Sequence, residues 1–359
     1  MSASVLIVTL PPLTGGVPSQ AKVLARHLKG LGHAVTVSHY ATLSDYEELV
    51  VPSWQAFSGK KPAVGEGKCF GDFRSLAARP LAVLGMSHLV WCASTMIEDR
   101  IERRRSMPLA RRLFDRLVIS PVQRGMERKI LQGKGRFMAI SSYTRDSLLS
   151  AGGVAERFSL VPIPVDLNLF RPPNASPRQG VIGFAGRPND PRKNLPLLFR
   201  ALRRLLDRGE NIELRLTGKA TPSLSRLARD LGISGRITWR GWLAEEALPD
   251  FFQGLDVFVI PSFQEGLNIA GLQAMACAVP VVSTRCGGPE DYVVDGKTGL
   301  LVAFDETEMA EAVTGIVRSR ERRLELGENA RRLVEENYSH ERFGASFAKA
   351  WRQTWGELP

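Results

Sequence analysis

The chain places two cations where they could hold a diphosphate. Arg187 and Lys193 stand six residues apart in RPNDPRKN, across a turn that holds Pro188 and Pro191, directly after the apolar run VIGFAG. A planar guanidinium and a compact ammonium converging at the end of a strand form a clamp for phosphate oxygens; plain surface charge is the alternative. Gly186, which closes the apolar run, is read as a further substrate-binding position. A second group lies in PSFQEGLN. There Glu265 can accept two hydroxyl hydrogen bonds, a pairing that suits a sugar, and Gly266 lets a ligand approach the backbone closely. Gln273 follows Glu265 by eight positions. The alternative for Glu265 is a carboxylate placed at a helix start because the helix dipole favours it.

The elements around these residues must bring them together. Residues 256–260, DVFVI, have the length and β-branched content of a buried strand, and residues 269–278 are good helix formers ahead of a second apolar run, VPVVST. Strand, loop, helix, strand closes as a right-handed parallel crossover. That puts residues 264–268 at the carboxyl end of a strand, where open α/β sheets bind ligands and where the free N–H groups of the next helix suit an anion. Gln273 then falls about one turn inside that helix. The runs VIGFAG, IELRLTG and ITWRGWL supply further strands with helices between, so Trp242 and Leu243, at the end of one strand, are candidates to border a nucleotide base. CGGPEDYV holds Gly287 and Gly288 in a turn, LLVAF is the last strand, and helical patterns over 306–336 and 340–355 finish the chain.

The N-terminal half begins with the same plan. Residues 5–10 read as a buried strand, Gly15 and Gly16 lie in the loop after it, residues 19–31 carry helical spacing, and AVTVSHY is the second strand. Between 41 and 93 glycines and prolines break the pattern, and one strand stands out, around 88–92. His88, near that strand and a loop, is a candidate for the acceptor or sugar side; a packed histidine is the alternative. FMAISSYTRDSLLS reads as a strand, a serine cap at Ser141 and Ser142, and a helix.

At 359 residues and 44% hydrophobic content the chain exceeds what one core supports, so two domains are expected. The four cysteines show no Cys-x-x-Cys and no Cys/His metal spacing, which points to a reducing, cytoplasmic compartment. No apolar run approaches the ~18 residues of a membrane span, and no signal peptide pattern opens the chain. The net charge is +11, and residues 1–175, with 23 basic and 13 acidic residues, carry +10 of it. Twelve Lys or Arg stand against Glu102, Asp115 and Glu127 in segment 100–136. Within it Ala110, Leu113, Phe114, Leu117 and Val118 fall on one helical face and Arg111, Arg112, Asp115 and Arg116 on the other. This segment could dock on an anionic membrane surface at the inner face of the membrane, or be a solvated helix packing on its own domain. Nucleic acid is not among the expected partners.

From Pro261 to Val302 the sequence resembles the donor site of the retaining glycosyltransferases of family 4, the glycosyl transferases group 1, which have the GT-B fold: an α/β architecture of two Rossmann-like domains facing each other across a cleft. A Pro-Ser strand end, a Glu-Gly loop and a second polar residue eight positions on carry the resemblance, together with Arg187 and Lys193 after VIGFAG and a first domain closing in SLVPIPVDLNLFRPP. It implies an N-terminal acceptor-side domain over 1–172, with 340–359 packing back on it, and a donor-binding domain over 173–339. It implies that Glu265 meets the donor sugar, that the N–H groups of Leu267 and Asn268 meet the diphosphate, that Gly15 and Gly16 approach the phosphate, and that residue 273 binds the ribose. The family has a second glutamate at that last position. Here it is Gln273, which still donates and accepts without the charge.

The expected chemistry is transfer of a hexose from a UDP- or GDP-linked sugar to a glycan, lipid-linked or small-molecule acceptor. Negative charge developing on the departing diphosphate would meet Arg187, Lys193 and a helix N-terminus. No metal and no other cofactor is expected, and the sequence holds no Asp-x-Asp. Two other classes remain: an epimerase of the same fold acting on the nucleotide sugar, and a non-catalytic protein that binds it.

Overall fold

The computed structural model describes residues 4–9, 16–39, 68–72, 87–95, 97–98, 101, 104, 107–173, 180–357 and 359. The chain divides into two compact units, residues 1–163 with 343–359, and residues 164–342. Residues 164–172, read from the sequence as the end of the first domain, thus lie in the second. Packing accounts for this: the Val165 amide donates to the Tyr338 carbonyl at 2.8 Å, and the Phe170 ring lies 6.2 Å from that of Phe252.

The first unit holds six parallel strands, β1 (Ser4–Thr9), β2 (Ala34–His39), β3 (Lys68–Asp72), β4 (His88–Cys92), β5 (Arg136–Ala139) and β6 (Phe158–Leu160), in the order β2-β1-β3-β4-β5-β6. Helix α1 (Gly16–Gly30) links β1 to β2 and begins earlier than its apolar spacing indicates. α2 (Leu109–Phe114) runs through a π-helical turn, Asp115–Ile119, into α3 (Ser120–Gln132). α4 (Ser142–Ser150) is capped by Ser141, whose Oγ accepts from the Thr144 amide at 3.0 Å. Val90, Cys92, Ile130, Leu131, Phe137 and Leu148 form a core cluster of this unit.

The second unit holds β7 (Val181–Phe184), β8 (Glu213–Leu216), β9 (Ile237–Trp239), β10 (Val257–Ile260), β11 (Val281–Thr284) and β12 (Gly299–Val302), all parallel. Their order is β12-β11-β10-β7-β8-β9. The chain builds outward from β7 in one direction, then returns to β10 and builds in the other. Such a reversal opens a crevice at the carboxyl ends of the two central strands, the place where doubly wound sheets bind ligands. Helices α5 (Leu195–Asp207), α6 (Pro222–Asp230), α7 (Leu248–Gln253), α8 (Ile269–Ala276), α9 (Glu306–Val317) and α10 (Arg320–Asn337) connect and cover the strands. Seven apolar residues of α5, among them Leu198, Phe199 and Leu202, are buried in one core with Ile182, Leu214 and Val259. At the opposite, amino edge Asp256 is fully buried, accepting from the Val181 amide at 2.8 Å and facing Arg323 of α10 at 3.0 Å.

The last helix, α11 (His340–Trp355), lies largely with the first unit. Phe343 and Phe347 meet the His27 ring edge-on at 5.1 and 5.3 Å, and Trp351 stacks on His33 at 5.2 Å.

Candidate active site at the carboxyl edge of the second sheet

The chain leaving β7 passes through Ala185 and Gly186 to Arg187, and the Gly186 amide donates to Thr217 Oγ1 at the end of β8, 3.0 Å away. It then makes a single 3-10 turn, Pro191–Lys193, and enters α5 through Asn194 in the left-handed region, φ 47°. Asp190 organises this turn. Its carboxylate accepts from the Arg192 amide at 3.2 Å and from both arms of the Arg192 guanidinium, at 3.1 and 2.8 Å. Arg187 reaches the same carboxylate at 3.2 Å. Burial alone would raise the Asp190 pKa, but the hydrogen bonds and charge of Arg192, with Arg187 beside it, hold it well below the ordinary carboxylate range.

The loop after β10 is fastened on both sides. Toward the β7 side, the Phe263 amide donates to the Arg192 carbonyl at 2.7 Å, and Arg192 donates to Gln264 Oε1 at 3.4 Å. Toward β11, the Glu265 amide donates to the Cys286 carbonyl at 2.8 Å, the Gly288 amide returns to the Glu265 carbonyl at 2.9 Å, and Thr284 Oγ1 donates to the Ser262 carbonyl at 2.6 Å. Gly288 is required there. A Cβ at that position would fall 2.2 Å from the Gly266 carbonyl oxygen.

Glu265 is therefore presented from a rigid frame, almost fully buried. Its Oε1 accepts from Lys193 Nζ at 2.6 Å, Ser262 Oγ at 2.7 Å and Asn268 Nδ2 at 3.0 Å. Burial pushes its pKa up, yet the Lys193 charge and hydrogen bond, with Ser262, bring it below the usual range, so the carboxylate is ionised at neutral pH. Among the described residues Oε2 carries no hydrogen bond. One oxygen holds the loop together and the other is left to accept.

Asn268 caps α8 from a left-handed conformation, φ 63°, its Oδ1 accepting from the Gly271 amide at 3.0 Å while its carbonyl accepts from the Tyr292 hydroxyl at 3.0 Å. Among the described residues the amides of Leu267 and Asn268 donate no hydrogen bond. They stand at a helix N-terminus in the crevice that the strand order opens, the geometry that attracts phosphate. Charge-bearing oxygens placed there would meet two backbone donors, the Lys193 ammonium and the Arg187 guanidinium on adjoining loops.

Residues 179–319, which contain all of these loops, match the family model for glycosyl transferases group 1. Over that stretch the sequence is that of a group 1 glycosyltransferase. It is 29% identical over 397 aligned positions to a GDP-mannose-dependent alpha-(1-6)-phosphatidylinositol monomannoside mannosyltransferase from Mycolicibacterium smegmatis, covering 96% of this chain and 97% of that protein. It is 31% identical to D-inositol 3-phosphate glycosyltransferase 2 of Catenulispora acidiphila, over 57% of this chain and 53% of that protein. The fold matches sucrose-phosphate synthase from Thermosynechococcus elongatus with a TM-score of 0.80 over 99% of both chains, at 18% identity. The two parallel-sheet units are thus those of the GT-B fold, and the chain is a glycosyltransferase using a nucleotide sugar.

The fold also gives places to the remaining sequence-derived positions of this glycosyltransferase. Gln273 sits in the second turn of α8, half-buried, with no side-chain hydrogen bond among the described residues. Trp242 is exposed and Leu243 half-buried just past β9. They adjoin the Arg187 loop: Gly241 pairs with Gly218, and a Cβ on Gly218 would lie 2.6 Å from the Pro188 ring. Gly16 opens α1, and Gly15 lies outside the described residues.

His88 is a correction. It is the first residue of β4, fully buried, and so stands at the amino edge of its sheet, packed over Gly135, where a Cβ would come 2.5 Å from His88 Nε2. The carboxyl edge, where ligands bind, is at the far end of the strand. His88 is a packing residue.

Asp190, Arg192 and Ser262 are the site residues that sequence reasoning passed over. An Asp directly before a proline is a turn signal. Arg192 gave none, since between Pro191 and Lys193 it reads as one more surface cation, while the fold buries it as the strut between two loops.

Proposed function

We propose that this glycosyltransferase moves a hexosyl group, with retention of configuration, from a UDP- or GDP-linked sugar to a hydroxyl of a glycan or lipid-linked acceptor held at a membrane. The observation that carries the reading is the division of labour at Glu265. Three donors hold Oε1, and Oε2 is left as an acceptor for a donor-sugar hydroxyl.

As the bond from the anomeric carbon to the diphosphate oxygen breaks, its electron pair moves onto the diphosphate. The Leu267 and Asn268 amides, two remaining N–H groups of Lys193 and the Arg187 guanidinium are disposed to receive that charge, fixed before the reaction begins. These cations do what a divalent ion does in other sugar transferases, so the reaction is expected to proceed in a chelator. The acceptor hydroxyl adds to the anomeric carbon and passes its proton to the departing diphosphate, which has gained the electron pair. No nucleophile of the chain is assigned to the step. Gln273 hydrogen-bonds a ribose hydroxyl, and Trp242 and Leu243 border the base. Retention and the hexose follow from the family resemblance, and the Mycolicibacterium relative's acceptor, named as a phosphatidylinositol monomannoside, supports a lipid-linked one.

The test is a screen of UDP- and GDP-hexoses for nucleoside diphosphate release, with and without chelator and with crude membrane lipid as acceptor. Release from one donor, stimulated by lipid and indifferent to chelator, is the expected result. Interconversion of donor sugars with no net release would identify an epimerase instead.

A further inference from the structure

The helical rod of α2, the π turn and α3, residues 109–132, belongs to none of the site chemistry, and its surface is sorted in an unusual way. Not one residue of α2 is buried. Leu109, Leu113 and Leu117 form one row at i, i+4 spacing and Phe114, Val118 and Val122 the next, and all six are between 44% and 79% exposed. Apolar rows of that extent contribute nothing to their own core. A continuous patch of this kind marks an interaction surface.

The charges are sorted as well. Both acids of the rod, Asp115 and Glu127, are buried, whereas Arg111, Arg112, Arg116, Arg124, Arg128 and Lys129 are all exposed. Asp115 is drawn inward by Arg104, whose Nε lies 2.5 Å from Oδ2, and Ser120 bonds to both of them. The π turn sits at this contact. Whatever covers the rod therefore meets leucine, phenylalanine and valine flanked only by positive charge, on the unit that supplies almost all of the chain's net charge.

We propose that residues 109–132 are an interfacial anchor that lies flat on a bilayer rich in anionic lipid, with the two apolar rows entering the headgroup boundary and the six bases on lipid phosphates. This rests on the reading of a membrane-held acceptor for its purpose alone, since the anchoring can be measured without turnover. An acidic protein groove would have to match each arginine with its own fixed acceptor, and among the described residues no exposed acid of the rod is present to set such a register. A lipid surface needs none.

Cosedimentation with phosphatidylcholine vesicles containing rising fractions of phosphatidylglycerol tests it. The wild type is expected to sediment with anionic vesicles at low salt, to stay in solution with pure phosphatidylcholine, and to be released by salt. Arg111→Gln, Arg112→Gln and Arg116→Gln together lower partitioning about a hundredfold, at about fivefold for each basic residue near an anionic surface. Leu113→Ser, Phe114→Ser and Leu117→Ser together also lower partitioning onto anionic vesicles at low salt, although the charge is unchanged. These positions are exposed, so melting temperatures stay unchanged in both variants. A wild type that stays in the supernatant, variants that sediment as the wild type does, or a concentration-dependent dimer with no vesicle binding each overturns the proposal. Donor hydrolysis without lipid reads the sugar-transfer site alone, so the two readings fail separately.

Discussion

Two groups of cations in this chain obey opposite rules. At the carboxyl edge of the second sheet, Arg192 is buried and Lys193 half-buried, each against a named carboxylate, and their value lies in geometry. On the rod at 109–132 the cations are exposed and act by their sum. A buried pair is specific and costly to break; an exposed cluster is tolerant of any one loss and sensitive to salt. The lesson is that count of charge locates a surface, and pairing of charge locates a site.

The sharpest way to break this comparison is at Lys193. Lys193→Ala removes most turnover and, by leaving Glu265 buried without its cation, also costs about 3 to 5 kcal/mol of stability. Adding Glu265→Gln restores much of the stability and none of the turnover, read by thermal melts beside product release. Arg187→Ala, at a half-exposed side chain, is expected to lose turnover about a hundredfold with an unchanged melt, in line with removal of one preorganised charge-stabilising donor. If Arg187→Ala keeps full activity, the clamp is wrong.

Smaller effects sharpen it. Gln273→Leu weakens nucleotide binding by about 1 to 3 kcal/mol through an unpaired ribose hydroxyl, and Gln273→Glu retains or tightens it, both measurable by titration calorimetry with the nucleoside diphosphate. Equal affinity in all three forms removes Gln273 from the site. The smallest effect is in pH. Glu265 and Asp190 both have pKa values lowered by folding, so their stability is present above the unfolded carboxylate value, about 4, and is lost as pH falls through the folded values. The melting advantage of the wild type over Glu265→Gln should hold at neutral pH and shrink only in acid.

Much of the donor side was legible because its signals are local. A β-branched run ending in Pro-Ser, a Glu-Gly loop and an apolar helix fix β10, the loop and α8 within a few residues of each other. The strut Arg192 was not legible, because burial of a cation depends on a carboxylate and a loop brought in from distant sequence. His88 shows another limit: the strand was read correctly, but nearness to a strand says nothing until one asks which end. The rod shows a third: its helical period put Asp115 on the charged face, and its burial depends on Arg104 and Ser120, which the period does not show.

The Lys193 to Glu265 contact also matters before any substrate arrives. With no donor bound, the crevice holds an ammonium whose charge is already answered by its own carboxylate, 2.6 Å away. A stray inorganic phosphate gains little from such a cation, because it competes with a partner that never leaves. On the proposed function a nucleotide sugar would engage the amides, Arg187, the ribose contact and Oε2 at once, and gain from their sum. Self-neutralisation thus acts as a filter, keeping the crevice open to its large substrate in a medium crowded with small anions.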